Sequence, residues 1–312
     1  MTIVTVTPNT SVDRTLEVPR FAVGGHLKGR LLRVQPAGKG VNVSRCLAAL
    51  GVPSVVTGLV GEGELPLFRE SLAGSPATVD LVPVAGATRT STTILDPELG
   101  TDTHIREMGS AVTPEEVERL RLKLAVLASP DALIVFCGSL PPGLSDEGLA
   151  LLLATCRAKG ARVGADLNGP QLGVAVAAGP AVIKPNVQEL GECLGADLSG
   201  ASEAELVAAA RSLLDRARTV LVTRGRDGAL AVQREEAWSG IVHVSSTRNT
   251  VGCGDAFLAG YLAALAGGVC LGDALRQALA CGAAQALADG PGQIAEPRVR
   301  ELAARAQLRR LI

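Results

Sequence analysis

From about residue 112 onward the chain alternates short apolar runs with longer amphipathic stretches. ALIVFC (132–137), RVGADL (162–167), AVIKP (181–185) and TVLVTR (219–224) read as core strands, each followed by a turn and a helical stretch. Ahead of the first of them a helix opens with Thr113 as N-cap, Pro114 at the first helical position and Glu116 three residues past the cap, a pattern that answers backbone N–H groups lacking intrahelical partners. Short core strands joined by crossover helices fold into a parallel sheet covered on both faces. From Gly252 the final third reads as mainly helical.

The first third follows a different pattern. TIVTVTP is a core-type strand, but LKGRLLRVQ, TRTSTTILD and TDTHIREMG alternate polar and apolar residues, with no helix between the last two. These segments predict a small sheet with one solvated face. The chain is therefore expected to form a single α/β domain over residues 1–312, with insertions at about 14–35 and 86–108 building a lid.

Composition narrows the function classes. A chain of 312 residues, 47% hydrophobic, buries a sizeable core without disulfides or metals. Aromatics at 2% make that core aliphatic and disfavour a surface that stacks nucleic-acid bases. A net charge of -1 gives no general pull toward phosphate backbones or membranes, so neither nucleic acid nor membrane is an expected partner. The seven cysteines show no CxxC or Cys/His cluster, which points to a reducing compartment, the cytoplasm. MTIVTVTPN has no secretory pattern, and the uncharged run between Asp255 and Asp273, interrupted by four glycines, reads as a core helix rather than a membrane span.

Two glycine-rich stretches carry candidate chemistry. In NTVGCGDAFLAGYL (249–262), Gly252 and Gly254 allow successive N–H groups to point one way at the positive end of a helix, which makes an anion hole. Asp255 is either an ordinary helix-start carboxylate or a reacting group, and Cys253 is a small neutral filler. PAGKGVNVSRCLAALG (36–51) is a loop turning into a helix; Arg33 and Gly40 stand where a Walker A motif needs glycine and Ser or Thr. IKPNVQE (183–189) has Asn186 and Glu189 in capping positions, with Lys184 at the carboxyl end of a strand, where parallel sheets bind ligands. TRGRDG (223–228) ends another such strand, its glycines suiting a flat ligand or a hairpin. In NTSVDRT (9–15), Asp13 and Arg14 form a surface pair or hold a polar ligand.

Taken in order, AGKGVNVSR, TRTSTTILD, FCGSLPPGL, VIKPNVQEL, VLVTRGRDGAL and NTVGCGDAFLAG resemble the ribokinase-like, or phosphofructokinase B, family over essentially the whole chain. The resemblance implies a three-layer α/β/α fold with a mainly parallel central sheet and a small β-sheet lid. It also implies an ATP- and Mg2+-dependent kinase acting on a sugar hydroxyl. Asp255 becomes the base, with Gly252, Cys253 and Gly254 as its anion hole. Lys184 meets ATP phosphates, Asn186 and Glu189 organise magnesium through water, and Thr223, Gly225 and Gly228 lie along the nucleotide. Asp13, Gly38, Lys39 and Asn42 line the sugar pocket. Arg89 and Ser139 suit a phosphate already on the acceptor. The implied acceptor is a ketohexose monophosphate: fructose 1-phosphate first, with tagatose 6-phosphate and fructose 6-phosphate as alternatives. Ala37 and Cys253 stand where many relatives have glycine and alanine. Because an isolated small sheet leaves unpaired edges, a homodimer through the lid is expected.

Overall fold

The computed structural model describes residues 1–312 except 246, 248 and 249, so Asn249, which opens the second glycine motif, lies outside the described residues. In chain order the elements are β1 (Thr2–Thr7), β2 (Ser11–Glu17), β3 (Arg30–Ala37), α1 (Lys39–Ala49), β4 (Ser54–Gly61), α2 (Leu65–Ser71), β5 (Ala77–Val79), β6 (Val82–Val84), β7 (Arg89–Asp96) and β8 (Thr101–Arg106). Then follow α3 (Pro114–Leu127), β9 (Ala132–Gly138), α4 (Asp146–Ala158), β10 (Arg162–Leu167), α5 (Pro170–Ala177), β11 (Val182–Ile183), α6 (Val187–Leu194), α7 (Glu203–Ser212) and β12 (Val220–Thr223). The chain closes with β13 (Ala229–Val232), β14 (Ala237–Ile241), α8 (Cys253–Ala266), α9 (Leu271–Ala286), α10 (Glu296–Arg305) and β15 (Gln307–Arg310).

The large sheet runs β15-β14-β13-β12-β11-β10-β9-β1-β4-β5, with β6 also pairing β4. It is parallel from β12 through β5. Strand β9 shows why the core strands are apolar without interruption. Ile134 and Phe136 face one core together with Leu120, Leu149 and Leu190, whereas Leu133, Val135 and Cys137 face a second core with Leu47, Phe257 and Leu275. Alternate side chains of one strand thus serve both helix layers. Helix α8 is buried from Asp255 to Ala264, as its uncharged sequence predicts. Gly260 lets it approach α9, since a Cβ there would lie 2.7 Å from the Gln277 carbonyl oxygen. No helix among the described residues is long and apolar enough to cross a membrane, and none of the seven cysteines is in a disulfide.

One expectation fails on this sheet. β12 leads into a short 3-10 turn (Gly225–Asp227) and then into antiparallel β13, not into a helix. TRGRDG forms a hairpin. Gly225 and Gly228 have φ of 60° and 84°, and Gly228 lies so close under the Gly240 carbonyl that no side chain fits. The mainly helical final third likewise ends in a strand: β15 pairs β14 at the sheet edge, and its QLRR sequence is too polar to announce itself.

The small sheet has the order β3-β2-β7-β8. Its β2 and β3 begin and end slightly outside the expected 14–35 insertion, at Ser11 and Ala37, whereas β7 and β8 fall inside 86–108. Register sorts its two faces. Gln35, Asp13, Ser91 and Arg106 form one cross-strand row; Val34, Arg14, Thr92 and Ile105 form the next, on the opposite face. Arg33 shares the first face and packs on Gly290 of the loop between α9 and α10, so that face looks toward the main sheet. The other face carries Leu31, Val34 and Ile105, which are 49%, 45% and 54% exposed.

Candidate active site

The site lies beyond the carboxyl ends of β10, β11 and β12, between the starts of α1 and α8. Near the carboxyl end of β10, one residue before Leu167, stands Asp166, which is completely buried. Its Oδ1 accepts from Lys39 Nζ at 3.0 Å and faces Lys184 Nζ at 3.2 Å. Burial alone would raise the Asp166 pKa, but the two lysines overcome it and hold the group below the usual carboxylate range. Lys39 is held above its ordinary range: burial opposes its charge, and Asp166, Asp255 and Glu189 outweigh that. Asp166 Oδ2 is buried and has no hydrogen-bond partner. Asp166 is the main residue missed from sequence. The available signal was a lone carboxylate one residue before the end of a core strand.

Asp255 sits in the first turn of α8, buried, with Oδ2 accepting from Asn42 Nδ2 at 2.9 Å. Burial, and then the Asp166 charge, push its pKa up to about 6, while Lys39, the Asn42 amide and Lys184 pull the other way. Asp255 is thus a helix-start carboxylate lifted toward neutrality by its surroundings. Gly252 is the N-cap, in the left-handed region at φ 80° against Pro291. The first intrahelical donor is Ala256, bonded to the Gly252 carbonyl at 2.9 Å, and the Cys253 N–H turns to the Thr250 carbonyl at 3.4 Å. The N–H groups of Gly254 and Asp255 are thus the ones left at the positive end of the helix. Lys184 joins them, because a Cβ on Gly254 would meet its Nζ at 3.4 Å. Burial and the Asp255 charge raise the Cys253 thiol to about 11, which keeps it neutral.

At the opposite end, Gly38 caps α1 with φ 122° and its position packs on Thr7. Asp13 accepts from Ser11 Oγ at 2.8 Å; burial raises its pKa against the pull of Arg89, Arg106 and Arg45. Arg89 donates to the Asn9 and Glu107 carbonyls, both at 3.2 Å, and its buried Nε has no partner. Asn9 Nδ2 in turn donates to Ser139 Oγ at 3.4 Å, which links Ser139 to Arg89 through Asn9. Asn9 is thus a second organiser that the sequence reading did not single out.

Asn186 and Glu189 form the reciprocal capping box of α6, at 2.8 and 2.9 Å. Thr223 is tied beside them through a bridge to Asn186. Gly225 faces open space, whereas Gly228 is accounted for by β14. An open cavity of about 440 Å³ lies farther along, lined by Val244, Ser245, Ala284, Leu287 and Ala288. Among the described residues no group of three or more His, Cys, Asp or Glu side chains is placed to hold a metal.

A three-layer fold with a lysine–carboxylate cluster and a buried, raised-pKa aspartate at a helix start, at the carboxyl ends of a parallel sheet, fits a phosphoryl-transfer protein of the ribokinase-like fold. Residues 1–297 match the family described as pfkB family carbohydrate kinase, and the chain belongs to it. A 1-phosphofructokinase from Rhodobacter capsulatus is 38% identical over 280 residues, covering 89% of this chain and 88% of that one. The tetrameric inhibited form of phosphofructokinase-2 from Escherichia coli superposes with a TM-score of 0.90 at 26% identity, over 97% and 98% of the two chains. A ribokinase from Arabidopsis thaliana, complexed with ribose and ATP, shares the fold at a TM-score of 0.75 and 20% identity over 97% and 98%.

Proposed function

We propose that this carbohydrate kinase transfers the terminal phosphoryl group of ATP to the free primary hydroxyl of fructose 1-phosphate, giving fructose 1,6-bisphosphate and ADP. The observation that carries the reading is Asp255, a buried base with a pKa of about 6 beside Lys184 and the N–H groups of α8. Asp255 takes the proton of the attacking hydroxyl as the new O–P bond forms and the bond to the ADP oxygen breaks. Gly254 and Asp255 N–H groups and Lys184 stabilise charge on the group in flight. Arg89 and Ser139 hold the phosphate already on the sugar, with Asp13, Gly38, Lys39 and Asn42 against its hydroxyls. The nucleotide runs past Thr223 and Gly225 toward the cavity at Ala284 and Leu287.

Mg2+ fits the residues present. The buried, unpartnered Oδ2 of Asp166 and the Glu189 carboxylate suit an ion that keeps much of its water and is held by one or two protein carboxylates. When bound, it neutralises phosphate charge. The small sheet acts as a lid, and its outer face, with Leu31, Val34 and Ile105 exposed, supports a homodimer in which two lids cover each other.

ADP release measured with magnesium and ATP tests the reading. The highest kcat/KM is expected with fructose 1-phosphate, ahead of fructose 6-phosphate, tagatose 6-phosphate and free fructose. Equal use of free fructose would remove Arg89 from phosphate binding. A non-catalytic sugar-phosphate sensor would need no base; Asp255→Asn is expected to lower turnover by about 10³-fold or more while sugar-phosphate binding persists. Unchanged turnover would sink the role given to Asp255.

A further inference from the structure

We propose that Arg45 is a positioning residue that locks the amide of Asn42 so that its N–H, never its carbonyl, faces Asp255. The proposal rests on the reading of Asp255 as the base. Arg45 Nη1 donates to Asn42 Oδ1 at 3.2 Å, and Asn42 Nδ2 donates to Asp255 Oδ2 at 2.9 Å. An amide side chain has nearly the same shape in its two flipped orientations. A guanidinium has donors only, so the Asn42 atom that meets Arg45 has to be the oxygen. The nitrogen is then committed to Asp255, where it favours the ionised, proton-accepting form.

The geometry around Arg45 is built to hold it. Nη2 donates to the Pro36 carbonyl at 2.8 Å, and the stem lies against Gly292, where a Cβ would come within 2.8 Å of Cδ. That loop is fixed by buried Gln285, which donates to the Gly290 carbonyl and accepts from the Gly292 N–H, both at 2.8 Å. Arg45 therefore places its charge on two neutral oxygens rather than on a carboxylate. Burial lowers its pKa, with Asp13 acting in the opposite direction. Such an arrangement is costly unless the cation does something for its neighbours.

The ionisable groups facing Asp255 are Asp166 on β10, Lys184 just past β11, Lys39 and Cys46 on α1, Cys137 on β9 and Cys253 on its own helix. Burial lifts all three thiols above their ordinary range, so they stay neutral through the working window. Arg45 does not act on Asp255 directly; its influence passes through Asn42. Without Arg45 the amide is free to turn, and a protonated Asp255 gains an oxygen to donate to. The acid form of the base is then favoured.

The test is the pH profile of kcat/KM with fructose 1-phosphate and MgATP, in wild type, Arg45→Met, Arg45→Lys and Asn42→Ala. Arg45→Met should move the acid limb up by about one pH unit, an about threefold loss near pH 6.5 that approaches about tenfold below pH 5 and vanishes toward pH 8.5. Arg45→Lys, again a donor-only cation, should return the limb toward wild type. Adding Arg45→Met to Asn42→Ala should produce no further shift, because the route through the amide is already gone. A loss uniform in pH, or a raised KM with the limb unmoved, would overturn the proposal and make Arg45 a packing or substrate residue. Should Arg45→Met not fold, judged by thermal unfolding, Arg45→Gln takes its place and should also raise the limb; an unmoved limb in that variant overturns the proposal. Failure of the base reading looks different: Asp255→Asn would then keep its turnover, or wild type would show no acid limb.

Discussion

Asp255 and Asp166 are both buried carboxylates, yet their surroundings drive them in opposite directions. Asp255 must be ionised to accept a proton, so kcat/KM is expected to fall as pH drops through about 6 and to level off above it. Its stability effect has the reverse sign. The folded chain holds that proton up to about 6 against an ordinary 3.8, so stability is lost as pH rises across this interval. Asp255→Asn should therefore gain melting temperature over wild type above pH 6 and little near pH 4, a comparison that calorimetry at both ends decides. Asp166 is held below the ordinary range by Lys39 and Lys184, so its contribution is present above that range and lost as pH falls through the depressed value. Asp166→Asn removes the carboxylate that buried Lys184 and half-buried Lys39 share and should cost about 3 kcal/mol. Thermal shift with and without ATP checks the cause: nucleotide phosphates should restore part of the loss, and an equal loss in both conditions would count against it.

Among the elements, α3 shows how far local rules reach. Thr113, Pro114 and Glu116 form the expected capping box: Thr113 accepts from the Glu116 N–H at 3.2 Å, and Glu116 Oε2 accepts from the Thr113 N–H at 2.9 Å. Not foreseen is the second use of Glu116, whose Oε1 accepts from the Ala85 N–H at 2.8 Å and ties the helix to the segment entering β7. Thr113→Ala should cost about 1 kcal/mol in urea unfolding. Glu116→Ala should cost about 2–3 kcal/mol, since it also leaves the Ala85 donor unsatisfied. Equal losses would mean that the tie to Ala85 contributes nothing. The capping box of α6 shows the limit of the same rules. Asn186 and Glu189 satisfy a helix start in full, and nothing in their spacing tells that Glu189 also acts on the charge of Lys39, a residue of α1.

For the molecule as a whole, the lid sheet is the test of assembly. If two lids cover each other, placing aspartate at both Val34 and Ile105, which share a cross-strand row, should halve the mass seen by light scattering and weaken fructose 1-phosphate binding. A wild-type mass of one chain would remove the dimer. Much of this architecture was legible along the chain: apolar strands, caps and glycine turns are local, and period and composition report them directly. Three things were not. The antiparallel finish at β13 to β15 depends on a packing contact between Gly228 and Gly240 and on a polar edge strand. In the Lys39–Asp166–Lys184 cluster Lys39 meets Asp166 across 127 positions, and Asn42 meets Asp255 across 213. Residue types and local geometry are properties of neighbours in sequence, and these the chain specifies unaided. Which carboxylate is lifted toward neutrality, and which becomes the counter-charge of two lysines, depends on desolvation and distance, which exist only once the sheet has brought the strand ends together.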